Sequence, residues 1–218
     1  MEALNKRYKY HFSNKSFVVS AVIAIVFLLA SFVVNFYAGT YATQSASNSV
    51  QDIILSNIPV FDVDMIFLYG PLFLWLFVAL LFLYEPKKIP FILKSIALFM
   101  IIRSVFIILT HIGPFPDQIP FALSPNNLLN RFIFGGDLFF SAHTGLPYLM
   151  ALIFWDNKLL RIIFILTSIF FGIIVLLGHL HYSIDVLAAF FITYSIYHIA
   201  EIFFKKDKEY FNEVATLQ

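Results

Sequence analysis

The chain contains no cysteine, so disulfides and thiolate metal sites are excluded and the redox state of its compartment leaves no trace. Charge is nearly as scarce. Charged residues fill 12% of the 218 positions, whereas a soluble domain needs about a quarter to cover its surface. A net charge of +1, with no basic stripe, leaves no footprint for nucleic acid. What fills the chain instead is apolar: 61% hydrophobic residues, 28 phenylalanines and a mean hydropathy of +0.86. Long uninterrupted runs of that composition read as a polytopic membrane protein.

Six runs are expected as transmembrane helices, at about 17–38, 65–84, 91–112, 141–155, 159–177 and 184–204. The first is too long for the apolar core of a cleavable signal peptide and reads as a retained anchor. The second stops at Glu85-Pro-Lys-Lys88, and the third before Gly113-Pro-Phe-Pro116, where two prolines forbid continuation. No repeat, linker or shift in composition divides the sequence, so the expected fold is all-α, one integral membrane bundle over residues 1–218. Twelve of the fourteen Lys and Arg fall before the first run, after the second, after the fourth and after the sixth. The positive-inside rule then puts both termini in the cytoplasm. The stretches 39–64, 114–140 and 178–183 fall on the extracytoplasmic side.

Two of these outer stretches carry the polar chemistry. Gly135-Gly-Asp-Leu-Phe-Phe-Ser-Ala-His-Thr-Gly145 holds Asp137, Ser141, His143 and Thr144 at the mouth of the fourth run. His179-Leu-His-Tyr-Ser-Ile-Asp185 opens the sixth. His181 and Asp185 are four apart and share a face if the turn between them is helical. A carboxylate there accepts one imidazole N–H, fixes the tautomer and raises the basicity of the other nitrogen, which suits a nucleophile or a base. Plain loop polarity would account for either residue alone. His143 can supply a proton to a leaving group, and the start of the fourth helix offers free backbone N–H groups to an anion. Arg103, deep in the third run, needs a partner, because a buried charge at that depth costs roughly 3 kcal/mol. It serves either as a structural ion pair with an Asp or as an anion clamp. Arg131, in the outer connection, carries no such cost. Two histidines, a carboxylate, an arginine and a helix N-terminus describe a phosphoryl-transfer site that calls for no metal and no cofactor.

These residues resemble the two signature motifs of sphingomyelin synthases, within the type 2 phosphatidic acid phosphatase (lipid phosphate phosphatase) superfamily. The family pattern Gly-Asp-x3-Ser-Gly-His-Thr is similar to Gly136-Asp137-x3-Ser141-Ala142-His143-Thr144, and His-Tyr-Thr/Ser-x-Asp-Val to His181-Tyr182-Ser183-Ile184-Asp185-Val186. Arg103-x6-Thr110 with Gly113-Pro-Phe-Pro-Asp117, and more loosely Asn57-Ile-Pro-Val-Phe-Asp62, resemble further family elements in the same order. The resemblance implies that His181 attacks the phosphorus of a membrane phospholipid donor to form a phosphohistidine. Asp185 orients His181, and His143 protonates the departing diacylglycerol. The acceptor is then a lipid alcohol such as ceramide in a synthase, or water in a lipid phosphatase or phospholipase C-like hydrolase. Arg103, Asp137, Ser141, Ala142, Thr144, His179 and Tyr182 are expected to line the substrate site. A non-catalytic lipid-binding or scrambling bundle is the rival from another class, but a base–orienter pair beside an acid has no use there.

Three departures from the family bear on substrate. The superfamily's Lys-x6-Arg-Pro element is absent, and Val175 stands six before His181 where the phosphatases carry arginine. Ala142 replaces glycine, and Tyr197-His198 is shifted in spacing near the end of the sixth run. His179 is expected to support His181 rather than react. A zinc site from His143, His179, His181 and Asp185 has suitable ligand types but nothing else to recommend it. His198 and Glu201 belong to the inner interface, His11 reads as a solvated N-terminal residue, and headgroup contact and plain loop polarity account equally well for His111 and Asp117. Headgroup, acceptor and oligomeric state are not legible in the residues.

Overall fold

The computed structural model describes residues 2–119 and 135–212, which leaves Arg131 and much of the outer connection outside the described residues. The described residues form helices and no strand. They are α1 (Glu2–Ser13), α2 (Lys15–Gln44), α3 (Asp64–Tyr84), α4 (Ile89–Leu109), α5 (Ala142–Ile153), α6 (Lys158–Leu177), α7 (Ser183–Phe203) and α8 (Lys205–Asn212). Five of them, α2, α3, α4 with its preceding turn, α6 and α7, are long and apolar enough to cross a membrane. Bulky apolar side chains such as Val26 and Leu29 on α2, Phe73 on α3, Leu166 on α6 and Phe191 on α7 face outward. In water that surface would be a liability; in lipid it is the solvated face.

The expected helices differ from the observed ones mainly at their ends. α2 runs past Gly39 to Gln44, about two turns beyond the expected stop. The extension is short on bulky apolar residues, but Ala38 and Ala42 pack on Ile107, and the Thr40 and Thr43 hydroxyls donate to the Phe36 and Gly39 carbonyls. Two helices outside the six runs also appear. The Tyr8 hydroxyl of α1 donates to the Leu83 carbonyl at the end of α3, and α8 folds back onto the bundle. His11, expected to be solvated, is buried against Tyr10 and Phe17, because α1 turns its ring inward at the junction with α2.

α5 is the exception in length. Its 12 residues span roughly 18 Å, well short of the ~30 Å hydrocarbon core. The chain before it makes up the difference. Arg103, six residues before the end of α4, reaches the Phe140 carbonyl and Asp137, so the segment leading into α5 dips into the bundle to meet it. At the other end of α5, Phe154 stacks with Phe164 and lies under Lys88, next to Phe211. α5 packs between α6 and α7, α4 packs along α2, and α3 touches α6 and the turn before α4.

The basic residues gather at one end of this bundle. Lys94 Nζ lies 2.6 Å from Asp207 Oδ2 and 2.7 Å from the half-buried Ser20 hydroxyl, with Lys94 and Asp207 shut away from solvent where α4, α2 and α8 meet. Asp207 also accepts from Ser20. A buried ion pair of this kind is costly to break one-sidedly, because the survivor keeps its desolvation penalty. Lys94→Met is therefore expected to lower stability by about 3 kcal/mol, while Lys94→Met with Asp207→Leu recovers most of the loss. Thermal unfolding of the purified protein in detergent distinguishes the two; equal destabilisation by single and double variants would refute a buried pair.

Candidate active site

At the end opposite the lysines, the two polar stretches meet directly. The Ser141 N–H donates to the Asp185 carbonyl at 3.1 Å, which joins the entry of α5 to the first turn of α7. Asp185, 1% exposed, anchors that turn. One oxygen, Oδ2, accepts from the backbone N–H of Tyr182 at 3.1 Å and faces His181 Nδ1 at 3.1 Å. His181 is not yet helical: it stands two residues before α7, with Tyr182 as the N-cap. The expected four-residue contact forms nonetheless, because the carboxylate at the third helical position reaches back over the cap. Since a carboxylate only accepts, Nδ1 carries the proton and Nε2 keeps its lone pair.

His143 projects from the first turn of α5. Its Nε2 lies 3.1 Å from the Phe67 carbonyl, its ring stacks on Phe67 with centroids 4.0 Å apart, and Phe171 meets it edge-on. It is within electrostatic reach of both His181 and Arg103. Ser141 caps α5 by accepting from the Thr144 N–H, so one donor at that helix start is already taken. The Thr144 carbonyl accepts from Ser168, while its buried hydroxyl has no partner among the described residues. Ala142 and His143 form one end of an apolar cavity of about 440 Å³ that runs between α2, α3, α4, α5 and α6, past Leu28, Pro71, Trp75 and Met100.

Arg103 is 2% exposed. Its Nε donates to the Phe140 carbonyl at 3.2 Å, and Nη2 lies 2.6 Å from Asp137 Oδ1, a charge contact set off the hydrogen-bond line. Of the two roles expected for it, the ion pair is what the geometry brings together. Gly136 completes the anchor: its N–H donates to the Thr43 hydroxyl, and a Cβ there would collide with the backbone of Ala42 and Thr43. His179 is buried beside Phe115 with φ of 52°, a left-handed conformation that a non-glycine residue holds only under local constraint. Neither of its ring nitrogens has a partner among the described residues, so it does not support His181 by hydrogen bond. Tyr182 is buried and donates from its hydroxyl to the Gly113 carbonyl at 2.8 Å. Among the described residues no group of three or more His, Asp or Glu is arranged to hold a metal ion.

Residues 135–202 match the family described as PAP2 superfamily C-terminal. The match supports the type 2 phosphatidic acid phosphatase superfamily. It covers both polar stretches, α5, α6 and all but the end of α7. No curated protein and no solved structure matches the chain.

Two residues that touch this site are silent in the sequence. Phe67 lies in an apolar run like any other, and its contribution is partly a backbone carbonyl. Asp52 is a lone acid in a polar loop, yet its Oδ2 accepts from the Ser183 N–H at 2.7 Å, and Oδ1 from Ile54 and Leu55. It thereby ties the loop before α3 to the first residue of α7. Burial opposes its charge, but the backbone N–H groups of Leu55, Ser183 and Ile54, with the Ser183 hydroxyl, hold its carboxyl below the usual 3.8. A depressed folded value means stabilisation that is present above the unfolded pKa, near 4, and lost as pH falls through the folded value. Asp52→Asn is expected to lower the unfolding midpoint by a few degrees at pH 7. That deficit should shrink below about pH 4. A deficit independent of pH would show that the charge plays no part.

Proposed function

We propose that the protein is a lipid phosphotransferase that moves a phospho-headgroup from a glycerophospholipid to a ceramide-like or other lipid alcohol through a phosphohistidine at His181. The observation that carries this reading is the buried His181–Asp185 pair, tied through Ser141 to the start of α5, whose own imidazole, His143, lines an apolar cavity. The cavity is of ordinary ligand size, within about 300–1,000 Å³, and its lining suits an acyl chain rather than a soluble substrate. In the proposed topology the short α5 is a sixth crossing completed by the dipping segment 135–141. Both termini and the basic end are cytoplasmic, and the site is extracytoplasmic, by the positive-inside rule.

In the first step the His181 Nε2 lone pair attacks phosphorus, the bond from phosphorus to the diacylglycerol oxygen breaks, and His143 gives that oxygen a proton. Asp185 holds the Nδ1 proton and stabilises the cationic ring as it forms. In the second step the acceptor hydroxyl surrenders its proton to His143 and its oxygen attacks phosphorus. The phosphorus–nitrogen bond breaks and its electrons return to Nε2. Ala142 turns its N–H at the start of α5 toward the phosphate, and Ser141 and Thr144 line it with their hydroxyls. Arg103 contributes positive potential from behind the Asp137 segment, with Tyr182 and His179 shaping the turn that carries His181. Two of the five Arg103 N–H donors are hydrogen-bonded, to the Phe140 carbonyl and the Asn35 amide oxygen, and Nη2 pairs with Asp137 by charge, so donors are left for an anion.

The test is a product analysis. Purified protein in detergent, given fluorescent ceramide with mixed phosphatidylcholine and phosphatidylethanolamine, is expected to yield a ceramide carrying the donor's phospho-headgroup. His181→Ala should abolish that product, a loss of at least 10³-fold, while leaving helicity unchanged. Diacylglycerol and a soluble phosphoalcohol without labelled ceramide product would make the protein a hydrolase instead. Turnover that survives His181→Ala would remove the phosphohistidine.

A further inference from the structure

His143 is held from an unusual quarter. Its partner, the Phe67 carbonyl, lies inside α3, where a carbonyl normally accepts from the N–H four residues on. Four residues on from Phe67 is Pro71, which has no N–H. The proline ring also crowds the carbonyl at that distance and tilts it away from the helix axis. α3 therefore carries one carbonyl without its helical donor, and it is the one His143 uses. An interior proline costs a helix about 3 kcal/mol relative to alanine, so its presence in an otherwise continuous apolar helix calls for a compensating contact.

We propose that Pro71 is a positioning residue for His143: by withholding its N–H it leaves the Phe67 carbonyl to fix the tautomer and orientation of the acid. A carbonyl only accepts, so Nε2 must carry a proton, and Nδ1 is the nitrogen left for proton exchange with the leaving and entering oxygens. His143 thus gains from a helix defect the orientation that His181 gains from Asp185. The Phe67 ring, stacked on the imidazole at 4.0 Å, fixes its plane while the carbonyl fixes its rotation within that plane. Pro71 also lines the cavity beside Leu74 and Trp75, so the wall that a lipid chain would touch is the one that holds the acid. This assignment of a proton-exchange role rests on the phosphotransfer reading above; the contact itself does not.

The experiment uses the full chain, labelled with ¹⁵N-histidine and purified in detergent, and reads the imidazole tautomers by long-range ¹H–¹⁵N spectra at a pH where the rings are neutral. The His143 signal is assigned by its disappearance in His143→Gln. In the wild type it should show the Nε2–H tautomer with a lone pair on Nδ1. Pro71→Ala gives Phe67 back its helical donor, and is expected to produce a mixture of tautomers. kcat should fall about tenfold with the donor KM unchanged, a partial loss of the acid's contribution. The unfolding midpoint should be unchanged or higher, because alanine favours the helix. Phe67→Leu, which removes the ring but keeps the carbonyl, should retain the wild-type tautomer. An Nδ1–H tautomer in the wild type, or a Pro71→Ala protein with unaltered tautomer and kcat, would overturn the proposal. A tautomer shift in a protein that turns over no lipid would uphold the positioning and sink the proposed reaction.

Discussion

One carboxylate oxygen sets the geometry of the recess. Oδ2 of Asp185 takes the backbone N–H of Tyr182 and faces Nδ1 of His181 at the same 3.1 Å. The first contact starts a transmembrane-length helix at a fixed residue; the second aligns an imidazole that lies outside that helix. Because both fall on one atom, the start of α7 and the direction of His181 cannot vary independently. The neighbouring carbonyl of Asp185 then accepts from Ser141 and brings in α5, and with it His143. Asp52 grips Ser183, the first residue of α7, from the loop before α3. A polar site inside an apolar bundle needs such redundancy, since each buried donor or acceptor left without a partner costs about 1–3 kcal/mol.

The ends of the molecule are built on different physics. At the basic end, Lys94, Asp207 and Ser20 form a closed set, with no charge left over and the Phe204 ring beneath the ammonium. At the other end the polar groups are only partly matched: one oxygen of Asp185, the Thr144 hydroxyl and both nitrogens of His179 have no partner among the described residues. Closed networks hold structure together, and incompletely matched ones are where structures do chemistry. The molecule is locked where α8 folds back and reserves its unspent polarity for the recess.

Much of this was legible in the residues. Apolar runs located the long helices, because burial in lipid leaves few alternatives to a helix. The four-residue step from His181 to Asp185 announced their contact, although the turn between them is a cap rather than helix. Arg103 announced its need for an anion, and Asp137 stands there. What the letters hid were contacts made by backbone or by residues distant in sequence. Nothing marks the Phe67 carbonyl as the acceptor for a histidine 76 residues away. Asp52 sits in a loop with no period or motif, and its partner is an N–H 131 residues on. The extension of α2 beyond Gly39 and the helices α1 and α8 depend on tertiary packing of small or amphipathic residues, which local hydropathy does not record.

The shortness of α5 has an electrical consequence. Because the chain must dip to reach its first residue, the segment leading into α5 meets the side chain of Arg103, which stands about a turn and a half of helix before the end of α4. Charges at that level are surrounded by hydrocarbon and aromatic rings rather than water, and attractions between unit charges grow several-fold as the effective dielectric falls from that of water toward about 20. In the proposed reaction, a phosphate in the recess would meet the histidines and the arginine in that stronger field. The same depth keeps mobile ions out, so the salt that screens charges at the membrane surface has little purchase on those at the reacting atoms.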